Sequence, residues 1–89
     1  MYWYRIDLDH IDKTYAVSGS SELSPRELAE ALTQSEYILL SNLVYKDSQR
    51  RFQSWREWDP LVKDEMWINP ACVIAFQELS VNPKLDTYP

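Results

Sequence analysis

The chain opens on an alternating pattern. Tyr2, Tyr4, Ile6 and Leu8 fall on one side and Trp3, Arg5, Asp7 and Asp9 on the other. That is the two-residue period of a half-buried strand. Residues 10–13 are polar apart from Ile11 and can turn the chain. Thr14, Tyr15, Ala16, Val17 and Ser18 then read as a second strand, which predicts an N-terminal hairpin. Gly19, Ser20 and Ser21 are expected to end it.

A change of period follows. Leu28, Ala31 and Leu32 form one apolar stripe at helical spacing, with Arg26, Glu27, Glu30 and Thr33 pointing elsewhere. Ser24 suits the N-cap and Pro25 the first helical position. Glu27 completes a capping box, and Leu23 can staple onto Leu28. The pattern predicts a helix over about residues 25–34.

From Tyr37 to Tyr45 the apolar residues Ile38, Leu39, Leu40, Leu43 and Val44 occupy both sides. That predicts a central strand, covered by the helix on one face. Lys46 to Gln49 reads as a turn. Residues 50–58 fit neither period well, since Phe52, Trp55 and Trp58 recur every third position; as a strand, Phe52, Ser54, Arg56 and Trp58 would share a face. Asp59-Pro60 closes that segment. Met66-Trp67-Ile68 reads as a short strand, Asn69-Pro70 as a turn and Cys72 to Leu79 as the last strand. In that last strand Val73, Ala75, Gln77 and Leu79 are expected to oppose Cys72, Ile74, Phe76 and Glu78.

The order of elements, without regular strand–helix alternation, predicts an α+β fold. It is a mostly antiparallel sheet of four to six strands with one short helix packed on one face. The face away from the helix is left open to meet a partner. Residues 1–80 are expected to form a single domain and residues 81–89 an irregular, proline-punctuated tail.

Composition narrows the picture. Eighty-nine residues are few for a metal-free, disulfide-free core, but four Trp and six Tyr supply a large buried area per residue. The one cysteine, Cys72, excludes an internal disulfide and is expected as a small buried hydrophobe. No basic-then-apolar leader and no apolar run near 20 residues is present, so the expected place is the cytoplasm, away from membranes. The net charge of −5 argues against non-specific nucleic-acid binding.

Chemistry-bearing motifs are sparse. A chain with one glycine, Gly19, cannot hold the glycine-rich loops that cradle phosphates. One His and one Cys do not build a closed zinc site. Asp7, Asp9, His10 and Asp12 resemble a cation loop only superficially. As an EF-hand the run puts Ile11 at a ligand position, Asp12 where glycine is needed and Ser18 at the last ligand. No cofactor or metal is therefore expected. His10 has no nucleophile motif beside it, and Asp64-Glu65 and Glu57 with Asp59 read as surface carboxylates.

The segment best suited to holding another macromolecule interleaves Arg50, Arg51 and Arg56 with Phe52, Trp55 and Trp58. Arginine and tryptophan are enriched at interface hot spots because they join large contact area to directed hydrogen bonding or stacking. The alternative is that Phe52 and one tryptophan fill the core under arginine stems. The expected function is a non-catalytic protein-binding module whose partner is another protein or a second copy of the chain. Two alternatives stand beside it: a small enzyme or ligand-binding subunit centred on His10 and Asp9, and an acidic nucleic-acid mimic. The mimic requires one contiguous surface made by Asp7, Asp9, Asp12, Glu22, Glu27 and Glu30.

Overall fold

The computed structural model describes residues 1–10, 13–46, 52–54 and 63–83. In chain order the elements are β1 (Tyr2–His10), β2 (Lys13–Ser21), α1 (Pro25–Thr33), β3 (Ile38–Lys46), β4 (Phe52–Ser54), β5 (Glu65–Ile68), a single-turn 3-10 helix (Pro70–Cys72) and β6 (Val73–Leu79). All described pairings are antiparallel, and the sheet runs β4-β3-β2-β1-β6 with β5 also on β3. This is the small α+β architecture read from the chain.

Two strands share one edge of β3. β5 pairs with Ile38 to Ser41 and β4 with Val44 to Lys46, so they lie end to end along the edge that faces away from β2. The break between them is a bulge in β3. From Ser18 to Ser20 the β2 strand advances two residues while β3 goes from Val44 to Ser41, one residue more. Asn42 absorbs the extra residue with a left-handed φ of 51°. The two amides turned outward there are both met by Asp64: its backbone oxygen accepts from Asn42 N–H at 3.0 Å and its Oδ1 from Leu43 N–H at 2.8 Å. Asp64 was expected as a surface charge; it acts instead as the cap of this bulge.

β2 does not stop at Gly19. The strand continues to Ser21, paired with β1 throughout. A Cβ built on Gly19 would sit 2.6 Å from the Ser41 carbonyl oxygen and 2.8 Å from Leu40 Cγ. The lone glycine is thus an in-strand close approach rather than a chain break.

Paired residues of an antiparallel ladder project to the same face. One face carries the core: Tyr4, Ile6 and Leu8 of β1, Val17 of β2, Ile38, Leu40 and Leu43 of β3 and Ile68 of β5, closed by Leu28 and Ala31 of α1. Fully burying each such aliphatic side chain contributes roughly 1.5–3 kcal/mol. Tyr4 stacks edge-on against Phe76, ring centroids 5.9 Å apart, and its hydroxyl donates to the Leu23 carbonyl at 2.7 Å. That bond ties β1 to the entry of α1.

The helix has both ends built as the local sequence dictates. Ser24 Oγ accepts from Glu27 N–H, and Glu27 Oε1 accepts from Ser24 N–H, the reciprocal capping box. At the far end Glu36 N–H reaches Ala31 O and Ser35 N–H reaches Leu32 O, a Schellman closure. Ser35 takes the left-handed position at φ 57° where glycine is usual.

At β6 the alternation read from the sequence fails. The register with β1 shifts between Asp7 and Leu8, and Leu8 pairs with Val73 where Asp7 pairs with Ala75. The extra residue is Ile74, which is exposed. Val73 therefore joins Phe76 against the core instead of opposing it. Cys72 belongs to the preceding 3-10 turn, half-buried against the core.

Candidate functional site

On the face away from α1 the ladders set side chains in rows across the sheet. One row runs Leu79, Trp3, Ser20, Ser41, Glu65, from β6 to β5. Its middle is two serines, and Ser20 is buried although it lies on the face without the helix. Beyond Ser20 no further β2–β3 pairing follows, and the two strands diverge as β2 leads toward α1. A groove of about 490 Å³ opens there.

Its walls and rim include Met1, Leu39, Tyr37 and Trp67, and its floor includes Ser20 and Asn42. Three of the rim side chains are held out in solvent: Met1 is 67% exposed, Trp67 66% and Tyr37 59%. Each is placed by the local fold. Trp67 pairs with Leu39 across β5–β3, so the alternation that buries Met66 and Ile68 turns the indole outward. Tyr37 follows the Schellman closure and leads directly into β3.

The floor is polar but already satisfied. Ser20 Oγ donates to the Ser41 carbonyl at 3.3 Å and accepts from Asn42 Nδ2 at 2.9 Å, while Ser21 Oγ accepts from Leu23 N–H at 3.0 Å. No histidine or cysteine is among the described lining residues. A serine nucleophile needs a neighbouring base to take its proton. Among the described residues Ser20 Oγ meets the Asn42 amide and the Ser41 carbonyl and no base, so there the hydroxyl braces the groove. Among the described residues no group of three His, Cys, Asp or Glu side chains is positioned to hold a metal ion. No described helix is long and apolar enough to cross a membrane.

A second, shallower depression of about 430 Å³ lies against Arg5, Asp7, Tyr15 and Ile74. Arg5 Nε reaches Asp7 Oδ1 at 3.2 Å, an exposed pair along one strand face. Such pairs contribute at most about 1 kcal/mol.

Of the interface residues read from the sequence, Phe52 begins β4 opposite Lys46 in register. Its side chain and the whole of Arg50, Arg51, Trp55, Arg56 and Trp58 lie outside the described residues. His10 ends β1 opposite Lys13, with its side chain likewise outside. The carboxylates required for an acidic mimic divide between surfaces. Asp7 and Asp9 stand on the face of β1 away from the core, and Glu27 and Glu30 belong to the helix on the other face. Glu22 borders the groove, and Asp12 lies outside the described residues.

The sequence places Trp67 in a short strand, where nothing local says which side faces solvent, and Tyr37 at the start of the central strand, whereas in the structure Tyr37 stands just before β3. No protein-family model, curated protein or solved structure matches the chain.

Proposed function

We propose that this chain is a protein-binding module without catalytic chemistry, and that the groove between β2 and β3 is its docking surface. The observation that carries this is the exposure of Met1, Tyr37 and Trp67 around one concavity. Exposed aromatics grouped at a groove offer large contact area at low entropic cost to a partner. A floor whose hydroxyls are already bonded favours holding over reacting. The arginine- and tryptophan-bearing run at Arg50, Arg51, Phe52, Trp55, Arg56 and Trp58 is proposed, on composition and spacing alone, as a second contact.

A photo-crosslinking amino acid at position 37, with one at Glu30 on the helix as control, tests the docking surface in cells of the source organism. Adducts specific to position 37, lost in Trp67→Ala while circular dichroism stays native, are the expected outcome. Equal labelling from both positions removes the groove as the docking surface. Arg51→Ala with Trp55→Ala tests the second contact by the same adduct yield.

A further inference from the structure

Resting on that reading of the groove, we propose that its occupant is a basic segment of another protein, with an arginine side chain laid against Trp67 and Tyr37. Charge and shape both point this way. Glu22 lines the groove, Glu36 precedes Tyr37, and Glu65 lies two residues before Trp67 on the same face, opposite the groove residue Ser41. All three glutamates are exposed. No lysine or arginine is among the described lining residues. The lysine and arginine nearest in sequence to Trp67 and Met1 of the rim are Lys63, four residues before Trp67, and Arg5, four residues after Met1. Arg5 and Arg26, the described arginines, are each engaged by a carboxylate, Asp7 at 3.2 Å and Glu30 at 3.8 Å.

The groove thus combines two exposed aromatic side chains with one lining carboxylate, Glu22, and has two further exposed glutamates beside it in sequence or register, on a chain of net charge −5. An aromatic face attracts a cation through its quadrupole, and indole does so best. A planar guanidinium adds stacking and can pair with a carboxylate at the same time, which a purely apolar side chain cannot. The acid field of the whole chain steers a positive segment in and repels an acidic one. Because the serine and asparagine groups of the floor are mutually bonded, specificity falls to the rim, where the rings and Glu22 lie, and to the exposed glutamates beside it.

The test uses the full chain and two short, flexible peptides with alternating arginines, one of them carrying citrulline at every arginine. Citrulline keeps the shape and removes the charge. The Trp67 indole N–H, assigned through Trp67→Phe, and the Tyr37 amide are followed by NMR during titration. The arginine peptide is expected to shift both signals at millimolar concentration, with the citrulline peptide weaker by about fivefold or more. Glu22→Gln and Glu65→Gln should each weaken the arginine peptide roughly two- to fivefold. Both positions are exposed, so the fold is expected to stay intact, which circular dichroism checks.

Equal binding of the two peptides overturns the basic partner and leaves a groove that still docks protein. Shifts that follow protein dilution without peptide assign the groove to a second copy of the chain and also overturn it. If neither peptide moves Trp67 while the crosslinker at position 37 still captures its adduct, the basic partner alone fails. If the adduct is missing as well, the docking reading falls with it.

Discussion

Replacing Gly19 with alanine adds one methyl group to a strand that already passes β3 at contact distance. The new Cβ would stand 2.6 Å from the Ser41 carbonyl oxygen and 2.8 Å from Leu40 Cγ, both well inside van der Waals contact. The nearer atom belongs to backbone, so a rotamer change in Leu40 cannot relieve it. Either β2 moves off β3 or the bulge at Asn42 shifts, and overpacking of this kind costs typically about 1–3 kcal/mol. Against that stands the gain from stiffening the unfolded chain, about 0.4–1 kcal/mol for glycine to alanine. The φ of Gly19 is not in the left-handed region, so alanine gains that term in full.

The net expectation is a loss centred on about 1.3 kcal/mol, or about 5–10 °C in Tm for a domain of this size. Urea and thermal unfolding followed by circular dichroism and tryptophan fluorescence measure it. A Gly19→Ala protein more stable than the parent would refute the close approach; a gain is the result expected had Gly19 been an ordinary loop glycine.

Four further outcomes follow from the same structure. Asp64→Ala leaves the Leu43 amide without its 2.8 Å acceptor at the bulge and should cost about 1–3 kcal/mol in urea unfolding, with Asp64→Asn milder because an amide oxygen still accepts. Ser35→Gly relieves a left-handed serine at the helix C-terminus and should raise stability by about 0.5–1 kcal/mol in the same assay. The Tyr4 phenol is pushed up to about 12, by burial first and then by the negative charges of Glu78, Tyr2 and Glu27. Its folded value is raised, so its contribution is complete below the unfolded value near 10 and is lost as pH climbs from there to about 12, some 2–3 kcal/mol over the window; Tyr4→Phe should remove that part of the alkaline slope. Hydrogen bonds from the Ser24 backbone and side chain hold the Glu27 carboxyl below its ordinary value. Its stabilisation is present above the unfolded value and fades as pH falls through the folded one, so Glu27→Gln should flatten the acid limb of stability against pH, while Ser24→Ala costs about 1 kcal/mol at neutral pH.

By itself the sequence determined the elements whose signals are local. The alternation from Tyr4 to Asp9 fixed which side of β1 is buried, since a period of two leaves no other choice once Tyr4, Ile6 and Leu8 lie inside. Ser24, Pro25 and Glu27 started the helix where their backbone bonds require, and apolar residues on both sides of β3 made it central. Tertiary contact decided the remainder. The bulges at Asn42 and Ile74 arise from pairing between strands far apart in the chain, so a strict two-residue count misassigned Val73; β2 was ended too early because Gly19, Ser20 and Ser21 carry the local signal of a chain break while their pairing with β1 carries them on as strand. The role of Asp64 exists only because its carboxylate and carbonyl reach amides 21 and 22 positions away along the chain. The groove is likewise a product of β2 and β3 ceasing to pair beyond Ser20; Trp67 faces it because the core claimed the other side of β5, and Tyr37 lines it from the link between α1 and β3. Periodicity is written residue by residue, whereas register and concavity belong to pairs of segments and take form only when those segments meet.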